Sequence, residues 1–177
     1  MRAMSDRLYR FIVKYGDLRL HFGAALHPSE SIYYFIARAL AYVLHYQSGL
    51  SFSRGVCIGE EPALYVPAVT GRMDLWIDVG CPSRKRLDKA LRKASLVIVY
   101  GYGNSLPYKK MLSLKGTERL RVFWLETTFL DALSATIKGG RVHWEFSFEN
   151  ERITVNEFAG VRSRVLSTMV SSDPRSA

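Results

Sequence analysis

Arg72-Met73-Asp74-Leu75-Trp76-Ile77-Asp78-Val79-Gly80, then Ser83-Arg84-Lys85-Arg86-Leu87-Asp88-Lys89-Ala90-Leu91-Arg92-Lys93-Ala94, then Leu96-Val97-Ile98-Val99-Tyr100-Gly101-Tyr102, form three consecutive units with different periodicities. In the first, Met73, Leu75, Ile77 and Val79 alternate with Asp74, Trp76 and Asp78, as in a strand, and Gly80 and Pro82 close it. In the second, Leu87, Ala90, Leu91 and Ala94 make one apolar helix face. The third is a near-continuous apolar run, as a strand covered on both faces would be. A strand, a helix and a second strand in this order predict a parallel pair joined by a right-handed crossover.

Residues 8–15 and 18–26, rich in aromatic and aliphatic residues about Gly16-Asp17, predict an N-terminal hairpin. His27-Pro28-Ser29-Glu30 predicts a helix start, with the Glu30 carboxylate in the first turn, where it suits the helix dipole. Ile32, Phe35, Ile36, Ala39, Leu40, Val43 and Leu44 follow at helical spacing towards Ser48-Gly49. Residues 50–58 and 63–69 read as extended stretches about the turn Gly59-Glu60-Glu61-Pro62. Further on, 108–114 predicts a short helix, 120–125 a buried strand, 130–135 a helical turn and 137–158 a hairpin or meander. The expected fold class is α/β in the mixed α+β sense. It comprises a mixed sheet flanked by helices, antiparallel before residue 80 and parallel after it, with extra N- and C-terminal β-hairpins. One domain is expected over residues 1–162, with a flexible Ser-rich tail over 163–177.

The chain has 177 residues, 48% of them hydrophobic, enough for a substantial core without staples. Cys57 and Cys81 are too few for a disulfide framework or a Cys-rich zinc site, and they read as free thiols in a reducing compartment. The N-terminus is too polar for a signal peptide, and no run approaches the ~20 apolar residues of a membrane helix. The expected location is the cytoplasm, and the default oligomeric state is a monomer. A net charge of +9 and a pI near 9.7 suit either simple solubility or a polyanionic partner, of which nucleic acid is the commonest.

Two carboxylates, Asp74 and Asp78, share one face of an apolar strand and need solvent, a cation or a metal. They lie about 13 Å apart on a straight strand at about 3.3 Å per residue, so they cannot both hold one ion. A metal site would draw further oxygens from Glu30 and Glu61, with Glu60 the weaker neighbour. The following helix presents Lys85, Lys89 and Arg92 on one side, with Arg84, Arg86 and Lys93 beside them. That is either an ordinary solvated face or a phosphate-contacting one. Cations beside carboxylates suit metal-assisted phosphodiester cleavage. His21, His27, His45 and His143 lack metal-ligand spacing, and Gly101-Tyr102-Gly103-Asn104 matches no phosphate-loop fingerprint.

Several segments together resemble the YaeQ family of bacterial proteins. They are His27-Pro28-Ser29-Glu30, Arg38 with Leu40-Ala41, Phe52-Ser53-Arg54-Gly55, Glu61-Pro62-Ala63-Leu64, residues 71–80, Pro82, Lys85-Arg86-Leu87 and Lys89-Ala90. The match is good from about residue 27 to 103 and looser elsewhere. The resemblance implies a variant of the PD-(D/E)XK nuclease fold, a restriction-endonuclease-like core of helix, three strands, helix and strand. It implies a nuclease-like site using Mg²⁺ or Mn²⁺, with Glu30 as the acid of the first helix and Asp78 as the acid of the (D/E)XK element. Asp74 and Glu61 compete for the remaining acid's place. Gly80 stands where the superfamily has its catalytic lysine, so Lys89 or Lys85 from the next helix would have to replace it. Tyr34 stands where the family tends to have a basic residue, and Pro107-Tyr108 where tryptophans are usual. Three readings follow: a metal-dependent nuclease, a nucleic-acid-binding or regulatory module that kept the fold and lost the chemistry, or a protein–protein adaptor that takes no nucleic acid.

Overall fold

The computed structural model describes residues 6–53, 61–69, 71–113, 117–149, 152–155 and 162–164. In chain order its elements are β1 (Arg7–Tyr15), β2 (Leu18–Leu26), α1 (Ile32–Leu44), β3 (Ser51–Phe52), β4 (Leu64–Pro67), β5 (Met73–Val79) and α2 (Arg84–Lys93). They continue as β6 (Ala94–Tyr102), α3 (Leu106–Leu112), β7 (Leu120–Leu125), α4 (Thr127–Ser134), β8 (Arg141–Glu149), β9 (Arg152–Val155) and β10 (Arg162–Arg164). The class is mixed α/β. Strand β10 pairs with β9 across the expected domain limit at residue 162, and residues 165–177 lie outside the described set.

The central unit has the expected form. Strands β5 and β6 are parallel, with Leu75 opposite Leu96 and Asp78 opposite Val99. Strand β4 runs antiparallel to β5, and the two-residue β3 antiparallel to β4. Strand β7 extends the sheet parallel to β6, giving the order β3-β4-β5-β6-β7. Most of the expected strand 50–58, with Cys57, Gly59 and Glu60, lies outside the described residues.

The expected N- and C-terminal hairpins join into a second sheet of their own. Hairpin β1–β2 takes β8 parallel to β1, and β9 and β10 follow, in the order β10-β9-β8-β1-β2. The cause lies in the alternation of these strands. Tyr9, Phe11, Val13 and Tyr15 of β1 and Val142, Trp144 and Phe146 of β8 are each buried on one face only. Setting β8 beside β1 fuses two half-apolar ribbons into one continuous inner face, where the Phe11 and Trp144 rings meet edge-on at 5.1 Å.

Helix α1 is packed between the two sheets. Its apolar stripe accounts for one face, yet Ala37, Arg38 and Ala41 on other sides of the helix are buried too. A helix apolar all round is one surrounded by protein. Its start also falls later than expected. Glu30 donates its N–H to the His27 carbonyl in a turn, and Ser31 is the N-cap, accepting the Tyr34 N–H at 3.1 Å. Helix α2 covers the opposite face of the β3–β7 sheet. Leu87, Ala90 and Leu91 pack there with Trp76, Val97 and Val99, and with Tyr108 and Met111 of α3. Arg119 closes the C-terminal end of α2 by donating 2.7 Å hydrogen bonds to the Leu91 and Ala94 carbonyls.

Candidate functional site: two arginine-clamped carboxylates

Strand β5 ends at Gly80, whose φ of +88° turns the chain out of the sheet. Ser83 then caps α2, accepting the Arg86 N–H at 3.3 Å, and this sets Arg86 in the first turn of the helix above the end of β5. Asp78 is only 3% exposed at that end. Arg86 Nε donates to Asp78 Oδ2 at 2.8 Å and Nη2 to Oδ1 at 2.7 Å, a bidentate fork. The same Nη2 donates to the Glu61 carbonyl at 2.7 Å. The guanidinium carbon also stands 5.8 Å from the centroid of the Trp76 ring. At the Asp78 end this face of β5 is closed to solvent: helix α2 covers it, and an arginine neutralises its acid.

Glu30 repeats the arrangement on α1. Its side chain is 1% exposed, and Oε2 accepts both Arg38 Nη2 and the His27 N–H at 3.1 Å. Arg38 Nη2 also donates to the Ala25 carbonyl at 2.7 Å. Burial pushes the Glu30 carboxyl up from its usual range, against the opposing pull of Arg38 and the His27 amide. Glu30 Oε1 and Arg38 Nε are buried without hydrogen-bond partners, beside a cavity of about 150 Å³ that His27 and Ser53 also line. Tyr34 lies beside Arg38, whose guanidinium carbon stands 5.9 Å from its ring centroid. Burial raises its phenol, which feels Arg38, Glu30, Asp78 and Arg86 in turn, so both ion pairs lie within electrostatic reach of one hydroxyl.

The structure therefore brings Glu30 and Asp78 to one region and leaves Asp74 out of it. Asp74 is exposed towards the start of β5. Glu61 offers Arg86 its backbone carbonyl. On α2, Lys85, Arg92 and Lys93 are exposed, Arg84 pairs with Asp88 at 2.8 Å, and Lys89 is half-buried and engaged in a contact of its own. Among the described residues no three His, Cys, Asp or Glu side chains group closely enough to hold a metal ion. As they stand, the acids do not fit a divalent cation: Arg86 occupies both oxygens of Asp78, and Arg38 shares Oε2 of Glu30. Nor does the backbone favour a lysine at position 80, because an L side chain at φ +88° is strained.

The weaker sequence features resolve as structural. His45 is buried, its Nε2 lies 2.8 Å from the Tyr100 hydroxyl, and burial holds it neutral, lowered to about 3. Gly101 lies within β6 under the Tyr108 ring, so residues 101–104 do not begin as a phosphate loop. Cys81 is an exposed free thiol. No helix among the described residues is long and apolar enough to cross a membrane.

The sequence allows for a cation beside the acids but singles out neither Arg86 nor Arg38, nor the place of Tyr34. A signal existed for one of them. Arg38 interrupts the run Phe35-Ile36-Ala37 and Ala39-Leu40-Ala41, and a cation inside so apolar a helix needs a buried anion.

Two sheets about a central helix, with one acid just before α1 and one at the end of β5 held by arginines of α1 and α2, define a mixed α/β protein with an ion-pair centre. The family model described as "YaeQ protein" matches residues 13–162, and the chain belongs to that family. It is 32% identical to YaeQ of Escherichia coli (strain K12) over 108 residues, and 33% identical to YaeQ of Salmonella typhi over the same length. Both relatives are described as uncharacterised. The alignments cover 58% of this chain and 60% of each relative. The crystal structure of YaeQ from Xanthomonas axonopodis pv. citri superposes with a TM-score of 0.84 at 26% identity, covering 94% of this chain and all of that one. The Pseudomonas syringae YaeQ structure, at 22% identity, shares the fold with a TM-score of 0.82 over 96% of this chain and 99% of that one.

Proposed function

We propose that the chain is a nucleic-acid-binding or regulatory module, built on a nuclease-like core whose acids serve as structural ion pairs. The order α1, β3, β4, β5, α2, β6, antiparallel up to β5 and parallel after it, supports kinship with the PD-(D/E)XK core. One observation carries the loss of chemistry: Arg86 grips both oxygens of Asp78. A fork of this kind satisfies the carboxylate that a metal would otherwise need. Lys85, Arg92 and Lys93 remain exposed on α2, suited to phosphate contact.

The second reading is a nuclease in which Glu30, Glu61, Asp74 and Asp78 draw in Mg²⁺ or Mn²⁺, with Lys89 or Lys85 steadying the phosphate. The closeness of both Glu30 and Asp78 to Tyr34 favours it. It requires Arg86 to swing away from Asp78.

Oligonucleotide binding and cleavage with Mg²⁺ separate the two. The module binds in a salt-dependent way, cleaves nothing, and weakens when Lys85, Arg92 and Lys93 are changed to Glu. Metal-dependent cleavage that Asp78→Asn abolishes would instead establish the nuclease.

A further inference from the structure

The β10–β2 sheet has a second face that α1 does not cover, lying on the far side of the molecule from α2. Side chains of β1, β2 and β8 alternate between the core and this face. Register sets its exposed residues in rows across three strands: Gly23, Arg10 and Arg141; then His21, Ile12 and His143; then Arg19, Lys14 and Glu145. The side chains of these rows include four permanent cations (Arg10, Lys14, Arg19 and Arg141) against one carboxylate. That carboxylate, Glu145, is tied to Lys14 at 2.8 Å. The lower two rows line an open groove of about 410 Å³. Two imidazoles flank Ile12, itself 38% exposed, so an apolar and aromatic centre is ringed by guanidinium groups.

We propose that this open sheet face binds single-stranded nucleic acid, with Arg10, Arg19 and Arg141 on phosphates and the His21 and His143 rings stacked on bases about Ile12. Charge complementarity selects a polyanion. The imidazoles and the exposed isoleucine select one whose base faces are free, which a duplex hides and a single strand offers. Along each strand, residues on this face recur about every 6.7 Å, so the cations form a ladder rather than a point. The surface uses neither α2 nor the clamped acids, and it stands whether or not α2 contacts nucleic acid.

The test is fluorescence anisotropy of a labelled oligothymidylate with the whole chain, alongside the same oligonucleotide annealed to its complement. Arg10→Glu/Arg141→Glu should weaken single-strand binding at least about tenfold and reduce the salt slope by about 1.4, at about 0.7 for each phosphate no longer neutralised. His21→Ala/His143→Ala should weaken it at least about fivefold with the salt slope unchanged. All four positions are exposed, and matching melting temperatures confirm that the variants fold. Both double variants binding within about twofold of wild type overturns the proposal, as does equal affinity for duplex. If, in addition, Lys85→Glu/Arg92→Glu/Lys93→Glu abolishes binding, the reading based on α2 survives alone. If wild type retains no oligonucleotide at low salt, both fall.

Discussion

Replacing Arg86 by Met should unseat Asp78. The substitution removes two charge-assisted hydrogen bonds to a carboxylate that is only 3% exposed, one bond to the Glu61 carbonyl, and the cation–π contact with Trp76. Breaking a fully buried ion pair costs about 3–5 kcal/mol, because the surviving charge stays desolvated. Arg86 is itself 26% exposed, so solvent screens part of the loss and about 2–4 kcal/mol is expected. In a chain of this size that lowers Tm by about 5–15 °C. Arg86→Lys should recover only part of it, since an ammonium cannot reproduce the two-pronged geometry. In a thermal or urea unfolding cycle, Arg86→Met/Asp78→Asn should be less destabilised than the two single changes added together, by about 1–3 kcal/mol. A loss below about 0.5 kcal/mol for Arg86→Met, or strict additivity in the cycle, would refute the clamp.

Three further outcomes follow from particular residues. His45 is held neutral near a pKa of about 3 against about 6.5 when unfolded, so the unfolded chain binds the extra proton. Its contribution is complete above about pH 6.5 and is lost as pH falls towards 3, and His45→Gln should flatten the urea midpoint between those limits. Gly101→Ala would place a methyl group inside the buried Tyr108 ring, and calorimetry should show a loss of about 1–3 kcal/mol. Gly80→Lys, which supplies a lysine two residues after Asp78, should cost about 1 kcal/mol for its positive φ and yield no cleavage of plasmid with Mg²⁺.

Periodicity alone is enough for the β5–α2–β6 unit and the β1–β2 hairpin, because short-range alternation and helical spacing specify them. The second sheet is hidden from it because the decisive pairing, β1 with β8, joins residues as far apart as Lys14 and Glu145. No local pattern encodes that separation. The acids are legible as chemically costly residues, but their partners read as a basic helix face. Arg86 reads as a neighbour of the basic face of Lys85, Lys89 and Arg92, whereas Ser83 capping sets it in the first turn of α2, where it grips Asp78. The sequence pattern puts Glu30 inside the first turn of α1, whereas the His27 turn and Ser31 cap leave it just outside, where Arg38 reaches it.

Titration calorimetry with Mn²⁺, on wild type and on Asp78→Asn, bears most directly on whether arginines hold these acids in place of a cation. Heats no larger than dilution in both proteins are expected. Saturable binding by wild type that disappears in Asp78→Asn would contradict the clamp and return the site to metal chemistry.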